Sequence, residues 1–234
     1  MCGRLDQHAE AEWLASHMGA TPTAHVHGFT PRWNLAPSQR LLFVAPWKGE
    51  RRLGVGTFGF GKARNPNATV EKLGTTWSGL LRTNRCVIPV NGWYEWEVQN
   101  GARIPYHHQA AKGLTLLAGL WHRRGGGVEV AIVTRPNDDE IGRLVHDRMP
   151  LLVREEEVGT WLQGDVEDAL SLTTTRRPHI ELFQVGPEVG NWKNQGPQVG
   201  APLPFHGAPR PAFRGTPPPT QLTAEEAMTK FFEA

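Results

Sequence analysis

The dipeptide Asn100-Gly101 sits between two runs rich in aromatic and β-branched residues, 86–98 and 102–108. A two-residue hairpin turn of type I′ needs φ > 0 at both central positions, which Asn and Gly tolerate and most residues resist. The two runs therefore predict an antiparallel hairpin. The same holds for 114–121 and 128–134, joined around Gly125, Gly126 and Gly127, and 41–47 and 180–185 read as further strands. Helical patterning is short and scattered. Asp6 reads as the cap of a helix with Ala9, Trp13 and His17 on one face, and Asn137 as the cap of another ending at Val145. Residues 155–162 and 167–172 predict two more, and 62–85 give mixed signals. Strands dominate without alternating regularly with helices, so the expected class is α+β with largely antiparallel sheet.

A chain of 234 residues is long enough for one full core. Eight of the 19 prolines fall between Pro197 and Pro219, a stretch too poor in apolar residues to build a core. The expected organisation is one domain at 1–196, a proline-rich linker at 197–220 and an amphipathic motif at 221–234. A net charge of +2 excludes a histone-like polycation but leaves room for a local basic groove. No apolar run reaches the roughly 18 residues of a membrane span, and the first residues lack a signal-peptide core. The expectation is a cytoplasmic protein that makes no membrane contact. Two cysteines, Cys2 and Cys86, give neither a disulfide framework nor a CxxC zinc clip.

Cys2 is the most informative residue. A small residue after the initiator Met permits its removal, and the mature chain would then begin with an amine and a thiol on adjacent carbons. Ordinary pKa values of roughly 7.7–8.0 and 8.5 leave usable fractions of both nucleophiles at neutral pH. The amine condenses with an aldehyde to a Schiff base, and the thiol closes a five-membered thiazolidine on it. An internal cysteine has no free amine and cannot do this. On position alone, Cys2 is equally a residue of a frayed terminus.

Other segments change that balance. Met1-Cys2-Gly3-Arg4 opens the chain, and Trp33-Asn34-Leu35-Ala36-Pro37 follows. Arg85-Cys86-Val87-Ile88-Pro89 runs into Asn91-Gly92-Trp93-Tyr94-Glu95-Trp96. Ile132-Val133-Thr134 precedes Val145-His146-Asp147-Arg148-Met149-Pro150, and Gly190-Asn191-Trp192-Lys193-Asn194-Gln195-Gly196 closes the domain. In this order and spacing the segments resemble the SRAP family, the SOS-response-associated peptidase or abasic-site processing proteins, over about residues 1–196. The resemblance implies twisted, mostly antiparallel sheets around a barrel-like core with flanking short helices. It implies a covalent crosslink between the N-terminal cysteine and the aldehyde of an abasic site in single-stranded DNA, shielding the lesion. It also implies catalytic roles for Cys2, Asn34, Glu95 and His146, and DNA contacts at Gly3, Arg4, Pro37, Thr134 and Arg148.

The residue types suit those roles. Glu95, between Tyr94 and Trp96 on an apolar strand, would have its pKa raised by desolvation and could shuttle protons. His146 could protonate a sugar or hydroxyl oxygen, and Asn34 could orient the terminus. Taken singly, Glu95 is an outward residue of an alternating strand, His146 a helix C-cap and Asn34 a turn residue; the resemblance favours the functional roles. The chain also departs from the family. It has Phe58-Gly59-Phe60-Gly61-Lys62-Ala63-Arg64 where the family has Trp-Gly-x-x-Pro-x-Trp, and Asn67-Ala68-Thr69-Val70-Glu71 where it has Asn-Ala-Arg-x-Glu. A stacking wedge and a phosphate-binding arginine are absent or replaced, Arg64 and Lys72 being the candidates.

No metal or cofactor is expected: His107 and His108 are adjacent, hence on opposite strand faces, and no phosphate-binding loop is present. An N-terminal-cysteine peptidase or amidohydrolase, and a non-covalent single-strand binding module, remain alternatives. The chain is expected to act as a monomer. In the tail, Met228, Phe231 and Phe232 resemble the sliding-clamp peptide Q-x-x-h-x-x-F-F, with Glu225 in place of the glutamine; a helix docking back on the domain is the other reading.

Overall fold

A computed structural model describes residues 2–138, 142–175 and 178–204. Its elements in chain order are β1 (Leu5–Gln7), α1 (Ala11–His17), β2 (Thr21–Pro22), β3 (Arg32–Leu35), β4 (Arg40–Trp47), β5 (Glu50–Phe58) and β6 (Asn67–Thr69). Then come α2 (Ser78–Thr83), β7 (Arg85–Val90), β8 (Gly92–Gln99), β9 (Ala102–Ala110), β10 (Thr115–Arg124) and β11 (Gly127–Pro136). The last are α3 (Gly142–Val145), β12 (Arg148–Pro150), α4 (Val158–Gln163), α5 (Val166–Ser171) and β13 (Ile180–Gln184).

The turn chemistry acts where the sequence places it. Asn100 and Gly101 have φ of 50° and 81°, and Gln99 pairs with Ala102 to close the β8–β9 hairpin. Gly125 and Gly126, at 57° and 82°, do the same between β10 and β11. β11, β10, β7, β4 and β5 follow one another with antiparallel neighbours, and a parallel pairing of β5 with β11 closes them into a barrel. β12 and β6 extend β11, and β2 lies on β5. A second sheet, β13-β9-β8-β1-β3, is antiparallel throughout. This is the α+β, barrel-centred fold expected.

Alternation along the barrel strands sorts their side chains into two cores. Leu41, Phe43, Ile88, Val130 and Ile132 share one with Cys2, Leu5 and Trp93 of the second sheet. Leu42, Val44, Val87, Ala131 and Val133 share the other with Leu14, Leu81, Trp161 and Ala169 of the helices. The barrel thus presents one face to the helices and the other to the strand that follows Cys2.

Several local expectations differ from the structure. Asp6 caps no helix: it lies in β1, 2% exposed, with His8 Nδ1 at 2.6 Å and His107 Nε2 at 3.2 Å from its carboxylate. α1 starts at Ala11 and buries Ala11, Leu14 and Ala15, while Trp13 faces outward and stacks on His17. The run 86–98 is two strands in different sheets, broken at Asn91, whose Oδ1 accepts from the N–H groups of His8 and Ala9. Asn137 donates its N–H to Asp147 O and its Nδ2 to His146 O; the helix start that it is expected to cap lies outside the described residues. Beyond residue 196, Val199 is buried with Tyr94, Val185 and Val189, and Pro202 bridges to Val185. Proline suits such an edge contact, which asks for no further N–H. The rest of the proline-rich stretch and the whole 221–234 motif lie outside the described residues.

Candidate active site

β8 carries Trp93 and Glu95 on one face, and antiparallel pairing sets Tyr106 and His108 of β9 opposite them. Asn137 and the segment 142–149 lie against that face. The result is an open cleft lined by Trp93, Glu95, His108, His146, Arg148 and Met149, among others. Cys2 is 1% exposed and shares a core with Trp93 and Met149. Its thiol pKa is pushed well up, first by burial and then by the negative charge of Glu95, against a hydrogen bond from the Arg4 backbone. Cys2 and Glu95 therefore act on each other electrostatically inside the protein.

Glu95 is 3% exposed. Burial raises its pKa to about 7, and the positive amino terminus is the main influence opposing the rise. About half of the carboxyl population is then ionised at neutral pH, the condition for a group that both takes and returns protons. His146 Nδ1 accepts the N–H of Arg148 at 3.0 Å. Nδ1 also lies 2.8 Å from the Asp147 carboxylate, which would favour a proton there. Asp147 is 85% exposed and screened, however, and burial lowers the His146 pKa. The backbone donation decides: the imidazole is neutral, with its proton on Nε2.

Arg148 enters the cleft already engaged. Its Nη1 and Nη2 donate to the two carboxylate oxygens of Glu71 at 3.0 and 3.1 Å, and Nη2 also to Thr134 O at 2.8 Å. The hydrogen bonds from Arg148 hold Glu71 below the usual carboxylate range. Arg64, a candidate substitute for the missing arginine, is likewise paired, with Glu129 at 3.0 Å.

Cys2 and the remaining expected residues are not among the residues that line the cleft. Asn34 is fully buried in β3. Its Nδ2 meets the carbonyls of Val189, Asn191 and Asn194, and its Oδ1 accepts from Arg4 at 2.6 Å. Its amide therefore clamps the 189–194 loop to Arg4. Pro37 occupies the turn after β3, and Gly3 is half-buried between Cys2 and Arg4.

Sequence reading missed Asn67, His108 and Glu71. Asn67 Oδ1 and Thr134 Oγ1 are buried without a hydrogen-bond partner. Asn67 pairs with Ile132 across the parallel β6–β11 ladder and Thr134 is two residues further, so all three side chains leave one face, that of the core containing Cys2. Unpartnered buried polar atoms cost about 1–3 kcal/mol each; two on one face point to a ligand group that completes them. The signal available was Asn67 itself, a polar residue opening a short apolar strand. His108 stacks on Trp93, centroids 4.8 Å apart at 19°.

The second residue is thus a buried cysteine whose thiol feels the charge of Glu95, a carboxyl that lines an open cleft. The chain belongs to the SOS response associated peptidase (SRAP) family, whose model matches residues 1–192. It is 27% identical over 228 residues to the abasic site processing protein YoqW of Bacillus subtilis, covering 85% of this chain and 98% of that protein. It is 30% identical over 153 residues to the abasic site processing protein HMCES of Xenopus tropicalis, 54% of this chain and 45% of that one. Among solved structures, a Bacteroides thetaiotaomicron protein superposes with a TM-score of 0.74 at 15% identity, covering 86% of this chain and all of its own.

Proposed function

We propose that the processed chain captures abasic sites in single-stranded DNA as a thiazolidine on Cys2. The Cys2 amine adds to the aldehyde carbon of the ring-opened sugar, water leaves with the aldehyde oxygen, and an imine forms. Sγ then bonds to the imine carbon while the thiol proton passes to nitrogen, closing the ring. Glu95 takes the proton that the ammonium must lose and returns it to the departing hydroxyl. His146, with its proton on Nε2, donates a hydrogen bond to the sugar oxygen, and Asn67 Oδ1 accepts from the amine. The abasic-site relatives support the substrate, and a protein acting in the cytoplasm at the nucleoid would meet it.

The observation that carries the reading is the Cys2–Glu95 pair, with a carboxyl pKa of about 7 and a thiol pushed up. A peptidase thiol needs the opposite, a depressed pKa beside a cationic imidazole. In the crosslinking sequence the amine leads and the thiol follows as a neutral group. The test is to incubate Met-processed protein with an abasic single-stranded oligonucleotide and weigh the product. The expected mass is protein plus DNA less one water, stable to heat without reductant, and lost in Cys2→Ser. An equally heat-stable adduct from Cys2→Ser would refute the thiazolidine.

A further inference from the structure

The face of β8 opposite Glu95 carries Tyr94 and Trp96. There two guanidinium groups lie over the Trp96 ring, Arg4 at 5.6 Å and Arg103 at 5.4 Å from its centroid. Arg4 also reaches the neighbouring loop, donating to the carbonyls of Val189 and Gly190. Two residues on, Trp192 stands 43% exposed, with the Lys193 ammonium 6.0 Å from its ring centroid. The acceptors around the Arg4 guanidinium are one amide oxygen and two carbonyls, all neutral, so its charge is uncompensated. Among the described residues, the carboxylate ion pairs engage neither Arg103 nor Lys193. The loop's own acid, Glu188, folds its carboxylate back over Gly186, where an added Cβ would meet Oε2.

The loop that presents Trp192 is held firmly. Asn34 binds three of its carbonyls. Gln195 Oε1 accepts from the N–H groups of Trp33 and Asn34, and its Nε2 donates to Asn34 O at 3.2 Å and Trp192 O at 2.7 Å. A buried polar clamp thus fixes a loop whose tip offers an indole to solvent. An indole beside uncompensated cations is the combination that binds single-stranded nucleic acid, base on ring and phosphate on cation. The surface also begins near the reacting group: Arg4 is two residues from Cys2, at most about 7 Å along the backbone.

We propose that Trp192 and Lys193, with Arg4, Trp96 and Arg103 behind them, form a subsite for a nucleotide flanking the reacting one on the same single strand. The subsite deepens the DNA reading above but needs no aldehyde, so the two can fail separately. The test uses the full, Met-processed chain and a labelled, unmodified single-stranded oligonucleotide, read by fluorescence anisotropy across a salt series. Trp192→Ala should weaken binding roughly 5- to 150-fold, the range for loss of one base–aromatic stack, and Trp192→Phe should restore most of it. Lys193→Gln should flatten the log K against log salt slope by about 0.7. Wild-type affinity in Trp192→Ala overturns the subsite. Weakened binding in Trp192→Ala, with no adduct from wild type on abasic DNA, supports the subsite and sinks the covalent chemistry. No binding of the oligonucleotide by the wild type overturns the subsite, whatever adduct abasic DNA gives.

Discussion

Glu95→Gln should yield a protein that is more stable and less reactive at once. Burial lifts the folded-state pKa of Glu95 from the usual 4.5 to about 7. Between those values the native state holds a proton that the unfolded chain has released, so stability falls as pH rises. It is at its full value below about pH 4.5 and is lost through pH 7. Above that, wild type sits roughly 3 kcal/mol lower than a protein with no charge to bury there. Gln bears no charge, so the variant's advantage should widen by up to that amount between pH 4.5 and pH 8. In a domain of this size that corresponds to a Tm gain of about 6–12 °C. Urea unfolding of both proteins at the two pH values, followed by tryptophan fluorescence, measures it. Adduct formation by the variant should fall roughly 10²–10⁴-fold. The rate inflection near pH 7 should vanish, leaving that of the amine at roughly 7.7–8.0. A stability difference that does not change with pH would mean Glu95 titrates where an ordinary carboxyl does, and its role as a proton carrier at neutral pH would fall with it.

Glu71→Gln should release Arg148 and remove a repelling charge, tightening single-strand binding severalfold at low salt and steepening the salt slope by about 0.7; an unchanged slope would mean that Arg148 meets no phosphate. Asn34→Ala should destabilise the protein by roughly 2–4 kcal/mol through its lost loop bonds, whereas Asn67→Ala should leave stability near wild type and slow adduct formation; chemical unfolding and adduct rates on the same two variants check this, and the reverse pattern would exchange their roles. Deleting residues 221–234 should leave the melting temperature and crosslinking intact while abolishing capture by a DNA-polymerase sliding clamp; a lowered melting temperature with no partner lost would instead mean that the tail docks on the domain.

The hairpins were legible because a positive φ is a local demand that Asn100, Gly101, Gly125 and Gly126 satisfy by themselves. Barrel closure was not, because it rests on a pairing between Thr57 and Glu129 that no local pattern encodes. The misread helix start has a similar origin. Asp6 has the chemistry of a cap, but the β1 backbone pairs with β8, which gives its carboxylate to His8 and His107 instead. The buried stripe of α1 falls on Leu14 rather than Trp13 because Leu14 faces the barrel, while Trp13 finds a partner in His17.

For the site, residue type proved a weaker guide than the state of each group's hydrogen bonds. Asn34 and Asn67 are the same amide in short strands, and nothing local says that the first is saturated by a distant loop and the second is left with a bare oxygen. The cations behave alike. Arg4 and Arg148 were the candidates for phosphate, with Arg64 a substitute for a missing arginine, yet Arg148 is held by Glu71, 77 residues away, and Arg64 by Glu129. Only Arg4 among the three is ringed by neutral acceptors, so it alone keeps its full field toward an approaching strand. A phosphate gains most where no carboxylate must first be displaced. The strand should therefore be gripped first beside Cys2, through Arg4 and the loop it anchors, with Arg148 joining only as Glu71 gives way.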